Sequence, residues 1–334
     1  MKNRKFSFTK ESILLTGGTG SFGTEFINTL LKSRSFIGTI RVFSRDEFKQ
    51  HTLQKKFRDD PRLRFFIGDV RDIGRLMRAM RGVDIVVHAA ALKQVPALEY
   101  NPFEAVKTNI QGTENVVEAA LDTGVKKAIL ISSDKAVNPV NLYGASKLVA
   151  EKLFIQGNSY AGAKPISFSV VRYGNVAASR GSVIPYFLEQ AKKNLLTVTD
   201  ERMTRFWITL SEGVKFVLDS FERMRGGEIF VPKIPSFRII ELARVIAPKA
   251  KIKIIGIRPG EKIHEVLIGL DEARHTKDKG NYFVIEPEFL WWTENNNKNG
   301  VSLDDLFLYS SENNPVWLLS ADLKAILSKI EVEL

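Results

Sequence analysis

The stretch Ser12 to Gly23, SILLTGGTGSFG, runs an apolar segment straight into a glycine-rich turn. Ser12 to Thr16 reads as a short buried strand. Gly18, Gly20 and Gly23 then satisfy the spacing GxGxxG, while Gly17, Gly20 and Gly23 satisfy GxxGxxG. Glycines so placed allow positive φ in the turn and let a pyrophosphate approach the backbone at the start of the next helix. A glycine motif alone is weak, because an ordinary tight turn uses the same residues. Context strengthens it: Phe26, Ile27, Leu30 and Leu31 recur at helical spacing after the turn, and Ile40 to Phe43 forms a second apolar run. Strand, glycine turn, helix and strand together make a dinucleotide-binding unit.

Further along, Arg64 to Val70, Asp84 to His88, Ala128 to Ile131 and Ile166 to Tyr173 read as strands with helical segments between most of them. The alternation predicts an α/β fold, a doubly wound parallel sheet. A dinucleotide-binding domain is expected over 1–175 plus about 211–235, and a smaller substrate-binding region over about 176–210 plus 236–334. In the later part, Ser179 to Pro185 reads as a loop and Met203 to Thr209 as extended. Ser211 to Met224 reads as a helix, Gly227 to Val231 and Gly280 to Phe289 as strands, and Ser320 to Leu327 as a closing amphipathic helix.

The end of the second strand bears on which dinucleotide is bound. An acidic residue about 20 positions past the glycines would grip a ribose 2′-hydroxyl. This chain instead carries Ser44, Arg45 and, a turn later, Lys49, which suit a 2′-phosphate. NADP is expected rather than NAD, with the adjacent acid Asp46 keeping NAD open. The cofactor-binding set is Gly17, Thr19, Gly20, Ser21, Phe22 and Gly23, then Ser44, Arg45 and Lys49. Asp69 and Val70 at the third strand's end, Ala89, Ala90 and Ala91 after the fourth, and Tyr143 and Lys147 complete it.

The chemistry concentrates in Ser132 to Lys147, SSDKAVNPVNLYGASK. It lies where a strand passes into a helix, the place where open parallel sheets put ligands. Tyr143 and Lys147 are four apart and share one helix face. An ammonium beside a phenol favours the phenolate, so Tyr143 is expected to accept a proton from an alcohol. Ser133 can hydrogen-bond the same alcohol, and Asp134 and Lys135 add an acid and a base. His88 reads as a buried strand residue. Asn109, placed near the middle of a helix expected over Phe103 to Ala120, faces the sheet and needs partners: a water, a backbone carbonyl or core neighbours.

A formal charge of +11 over 334 residues admits nucleic acid, an anionic membrane surface or an anionic small ligand. The bases are scattered among acids, without the aromatic and basic pattern of RNA-binding modules, so a phosphate-bearing ligand is the expected use and nucleic acid is not. Arg180, Arg205 and Arg258 fall in or beside loops beyond the sheet and are expected to clamp a diphosphate. His264 and Glu265 have no second histidine at ligand spacing, so no metal is expected. No apolar run reaches the ~18 residues of a membrane span, and the basic start lacks a signal peptide's apolar core. Cysteine is absent. A cytoplasmic location without membrane insertion is expected.

TGGTGSFG, the YxxxK spacing of Tyr143 and Lys147, and a substrate region interleaved with the end of the sheet resemble the extended short-chain dehydrogenase/reductase superfamily acting on nucleotide sugars. SSDKAVNPVNLYGASK, FSVVRYGNV, SRGSVIP, MTRFWITL, GGEIFVPKIPS and IGIRPGEKIHEV more narrowly resemble the soluble inverting UDP-N-acetylglucosamine 4,6-dehydratases (5-epimerising) of pseudaminic acid synthesis, over about Ile13 to Ile268. Gln94 departs from that pattern, where histidine is expected, and the tail after Leu270 matches loosely. The resemblance implies C4 oxidation by NADP with Tyr143 as base, Lys135 as the C5 base and Asp134 as the acid. A lysine must be partly neutral for that task, which burial or the neighbouring cation Lys147 is expected to achieve. It further implies UDP-N-acetylglucosamine as substrate, met by Lys93, Asn175, Arg180, Arg205, Arg258 and Glu261, and a homo-oligomer, dimer or hexamer. A UDP-sugar 4-epimerase, a retaining dehydratase and a non-catalytic nucleotide-sensing module are the competing readings. The Asp134 and Lys135 pair separates dehydration from epimerisation, because 4-epimerases of the superfamily commonly carry small hydroxyl residues there.

Overall fold

Ile13, Leu14 and Leu15 are fully buried in β1, Ser12–Thr16, the axis of the sheet. This computed structural model describes residues 8–162, 164–177, 183–288 and 300–331. β1 pairs in parallel with β2 (Thr39–Ser44) on one side and with β4 (Ile85–His88) on the other. β3 (Leu63–Ile67) lies outside β2, while β5 (Lys127–Ser133) and β6 (Ser167–Tyr173) follow β4. The order β3-β2-β1-β4-β5-β6 reverses between β1 and β4, which opens a crevice at the carboxyl ends of those strands. Near-continuous apolar runs such as AILI in β5 fit strands covered on both faces. The doubly wound parallel sheet is thus the architecture of the chain.

The sheet continues past β6. Ile229–Pro232 adds in parallel, and Tyr282–Ile285, Thr276–Asp278 and Val301–Ser302 then extend it antiparallel. Residues 266–310 were expected in the substrate region, yet Leu267, Ile268, Phe283, Val284, Ile285 and Tyr309 pack in the same hydrophobic cluster as β1. A second cluster holds Ile184, Phe187, Leu196, Val198, Met203, Trp207, Phe237, Leu242, Leu323 and Leu327. The late apolar strands pair onto the sheet edge left open beyond Ile229–Pro232. Of the earlier expectations, Phe289 and most of Ser179 to Pro185, with Arg180, lie outside the described residues.

The helix expected over Phe103 to Ala120 is interrupted. Pro102–Ala105 passes into a π-helical turn, Val106–Gln111, before a regular helix, Gly112–Thr123. Such an extra residue in a helix re-aims a side chain, often at a functional site. Here it aims Asn109, whose Nδ2 donates to the Leu92 carbonyl at 2.9 Å and to Ser146 Oγ at 2.9 Å, while its Oδ1 accepts from Leu92 N at 2.8 Å. Asn109 accordingly pins the loop after β4 to the helix Leu142–Tyr160. Arg172 on β6 adds a buried clamp: it meets Glu151 of that helix at 2.6 Å and Glu272 at 2.9 Å. Between them these polar contacts hold the helix of Tyr143 in one place.

Candidate active site

The turn after β1 closes against the loop after β4. Gly17 has φ +67, and a Cβ there would lie 2.9 Å from the Ala90 backbone. A side chain at Gly23 would strike the Gly18 carbonyl, so helix α1 (Ser21–Lys32) starts flush on the turn. Gly20 is its N-cap with no side-chain cap, which leaves the first amides open to an anion. These are the features of a dinucleotide cradle, and they line one end of a cavity of about 620 Å³ at the sheet's switch point. Thr19, Ser21 and Phe22 line it as well, with Ala89, Ala90 and Ala91 along the wall. Thr16 Oγ1, held 2.7 Å from His88 Nδ1, accepts from the amides of Ala89 and Ala90. His88 is buried and neutral, its pKa lowered to about 3 by burial.

At the adenosine end, Ser44, Arg45, Lys49, Asp69 and Val70 all line the cavity. Asp46 lines it too, but its carboxylate caps helix α2 (Glu47–Lys56), accepting from Lys49 N at 2.9 Å and pairing with Lys49 Nζ at 3.1 Å. Arg45 stays more than half exposed, 3.9 Å from Asp69. The acid beside the basic pair is thus already engaged.

The segment Ser132 to Lys147 starts on β5, which runs two residues, Ser132 and Ser133, past the end of the apolar run. A single 3-10 turn, Asp134–Ala136, then brings the chain round. Asn141 caps the helix Leu142–Tyr160 by accepting from Gly144 N at 2.8 Å. A side chain at Gly144 would strike the Lys135 carbonyl, so the helix presses directly on the turn. That packing gathers Ser133, Asp134, Lys135, Tyr143 and Lys147 on the wall of the cavity.

The charges in this cluster differ from the sequence-based expectation. Lys147 Nζ donates to the Ile131 carbonyl at 2.7 Å, and burial lowers its pKa to about 8 against the opposing pull of Glu151. Burial pushes the Tyr143 phenol up, and the charges acting on it are Lys135, which lowers it, and Asp134, which raises it. Lys135 was expected to be partly neutral. Instead its Nζ sits 3.1 Å from Asp134 Oδ1 and 3.0 Å from Glu265 Oε1, and despite burial these carboxylates raise its pKa above the ordinary lysine value. Two anions outweigh desolvation, so Lys135 is held as an ammonium. Burial pushes Asp134 up, while Glu265, beside Lys135 and Arg205, is held below the usual carboxylate range despite its burial. Asp134 therefore keeps its proton more readily than Glu265 does. Ser133 Oγ donates to Asp134 Oδ1 at 2.7 Å and accepts from Lys135 N at 3.2 Å.

Glu265 was read in the sequence only as a fragment lacking metal-ligand spacing. The usable signal was its place in RPGEKIHEV, a segment that the fold lays across the turn Asp134–Ala136 and the residues after it: Lys262 Nζ donates to the Val137 carbonyl, and Asn141 Nδ2 to the Gly260 carbonyl at 2.8 Å. Arg205, expected in a diphosphate clamp, is committed within the chain, to the carbonyls of Thr204, Ile263 and Lys262 at 2.7, 2.9 and 3.0 Å and to Glu265 at 3.6 Å. Lys93 and Asn175 line the cavity. Arg258 and Glu261 form a local pair at 3.9 Å in a turn outside that lining.

Residues 13–287 match the family model described as polysaccharide biosynthesis protein. A UDP-N-acetylglucosamine 4,6-dehydratase (inverting) of Campylobacter jejuni is 51% identical, the match covering 97% of this chain and 99% of that protein. A Rickettsia akari protein named UDP-glucose 4-epimerase is 46% identical over 83% of each. Among solved structures, Pen from Bacillus thuringiensis superposes with a TM-score of 0.89 at 36% identity, covering 98% of this chain and 99% of its own.

Proposed function

Since the chain belongs to the family described as polysaccharide biosynthesis protein, we propose that it is an inverting UDP-N-acetylglucosamine 4,6-dehydratase, a hydro-lyase working with NADP. The observation that carries this reading is the Asp134 and Lys135 pair, 3.1 Å apart, beside Tyr143 in the cavity that the glycine turn lines. The near full-length relative of that name at 51% identity supports it.

A nicotinamide cofactor held by the glycine turn would supply the hydride acceptor for sugar C4 and the hydride donor for C6. Tyr143 removes the C4 hydroxyl proton, with Ser133 hydrogen-bonding the same oxygen. The resulting ketone acidifies C5, whose proton Lys135 takes. Asp134, whose hold on its proton burial strengthens, hands its proton to the C6 hydroxyl, which leaves as water. Protonation of C5 on its opposite face inverts that centre.

Arg45 and Lys49 at the adenosine end, with Asp46 engaged as a helix cap, support NADP over NAD. Lys93 and Asn175, which line the cavity, are assigned to the sugar nucleotide, together with Arg258 and Glu261 and with Arg180, which lies outside the described residues. The product would enter pseudaminic acid or related surface-glycan synthesis, and the enzyme would work as a homo-oligomer in the cytoplasm.

Incubation with UDP-N-acetylglucosamine in deuterated water tests the reading. Loss of one water with deuterium at C5, and ring couplings of the inverted product, are expected. Unchanged mass with exchanged C4 epimers would replace dehydration by 4-epimerisation, the second reading, which the Rickettsia akari relative's name favours.

A further inference from the structure

The dehydratase reading leaves one group of the site without a task and one task without a group. Lys135 has to be a neutral amine when it takes the C5 proton, yet it stands 3.0 Å from the Glu265 carboxylate, which holds it charged. Asp134 cannot relieve it, because Asp134 must keep its own proton for the departing hydroxyl. Among the described residues, Glu265 is the other carboxylate within ion-pair distance of Lys135. It is 3% exposed, and its Oε2 has no hydrogen-bond partner among the described residues. Its backbone is locked, the amide donating to Ser311 Oγ at 2.9 Å and the carbonyl accepting from Ser311 N at 2.8 Å.

Resting on the dehydratase reading, we propose that Glu265 is a positioning residue that accepts a proton from Lys135 and so makes it the neutral base. An N–H bond of the ammonium breaks and an O–H bond forms at Glu265 Oε1, which turns the ion pair into an amine and a carboxylic acid. The amine lone pair then takes the C5 proton, the C–H electrons expel the C6 oxygen, and Asp134 protonates it as water. Lys135 then passes one proton to Asp134 and takes back the one held on Glu265, which restores all three groups, while C5 is protonated on its opposite face from water and the proton that Tyr143 took from the C4 hydroxyl goes to solvent.

Burial favours this transfer at the right moment. Lys135 is a quarter exposed, toward the cavity. A sugar seated there removes that water, and a poorly solvated ion pair gains by cancelling its charges. The groups facing Glu265 are Lys135 and Asp134 from the catalytic turn, Arg205 from the strand Thr204–Ile208, and Lys262 from its own segment. Arg205 keeps Glu265 ionised in the resting state, so the proton waits on Lys135 until substrate covers the pair. This is consistent with Glu265 being held below, and Lys135 above, their ordinary values.

A proton passed inside the pair needs no exchange with solvent. Wild-type elimination should accordingly be flat in pH across neutrality. Glu265→Gln is expected to slow elimination about a hundredfold at neutral pH, with C4 oxidation and KM little changed, and its rate should climb as pH rises because Lys135 must now lose its proton to water. Glu265→Asp should restore part of the rate and the flat profile. A Gln variant that dehydrates at the wild-type rate, keeps a flat profile, or loses oxidation and elimination together overturns the proposal. Should Glu265→Gln fail to fold, a wild-type elimination rate that climbs tenfold per pH unit through neutrality overturns it equally. Failure of the wild type to release water from UDP-N-acetylglucosamine would instead remove the dehydratase reading itself.

Discussion

Lys135 Nζ lies 3.0 Å from Glu265 Oε1, across 130 positions of sequence. The contact joins the turn after β5 to a segment that enters the site from the far part of the chain. The two lysines of the site are shifted in opposite directions: the carboxylates beside Lys135 raise it, while burial brings Lys147 down to about 8.

Replacing Lys135 by alanine should therefore separate the steps. The variant is expected to oxidise C4, seen as a rise in the nicotinamide near-ultraviolet band, and to stall before water loss, with elimination reduced ~10²–10⁴-fold. Equal loss of both steps would refute the division of labour.

Tyr143→Phe should act earlier. Removal of the phenolic base is expected to cut C4 oxidation by ~10²–10⁴-fold, far more than it weakens cofactor affinity read by calorimetry. Full oxidation in this variant would transfer the base role to another group.

Arg45→Ala combined with Lys49→Ala should weaken NADP binding by about tenfold or more, the loss of roughly 1.4 kcal/mol or more in charge-assisted contacts, while NAD binding stays put. Calorimetric titration with each dinucleotide distinguishes them. Equal weakening of both would mean that these bases do not meet a 2′-phosphate.

Gly17→Ala tests the cradle. With φ at +67 and the Ala90 backbone 2.9 Å from the added Cβ, strain of about 1–3 kcal/mol is expected, read as a lower denaturant midpoint, with dinucleotide binding lost. A variant of wild-type stability and affinity would show that the turn has room to spare.

His88 predicts a pH dependence of stability. Its folded pKa of about 3 lies below the ordinary 6.5, so the unfolded chain binds the extra proton between those values. The stability this group contributes is present above pH 6.5 and is lost as pH falls through 3, by about 5 kcal/mol in full. Urea midpoints measured across that range should fall with acid more steeply than in His88→Asn. Parallel slopes would place the acid sensitivity elsewhere.

Much of this protein was readable from local pattern. Gly17 to Gly23 identified the cofactor turn because its demands, positive φ and close backbone approach, act over a few residues. The helix from Leu142 was legible for the same reason, since Tyr143 and Lys147 meet through one turn of one element. Less visible was the π-helical turn at Val106–Gln111, because apolar spacing does not register one extra residue in a helix. The antiparallel strands added beyond Ile229–Pro232 were equally hidden, since sheet partners are set by which edge is left open.

The amino-acid sequence by itself determined the doubly wound sheet, the glycine turn after β1 and the strand-to-helix segment that carries Ser133, Asp134, Lys135, Tyr143 and Lys147. These follow from short-range sterics and periodicity, which neighbours in the chain decide. Only the tertiary structure decided their charge. Glu265 and Arg205 reach Lys135 through folding alone, and a buried ammonium takes its state from whatever carboxylates surround it rather than from the residue beside it in the sequence.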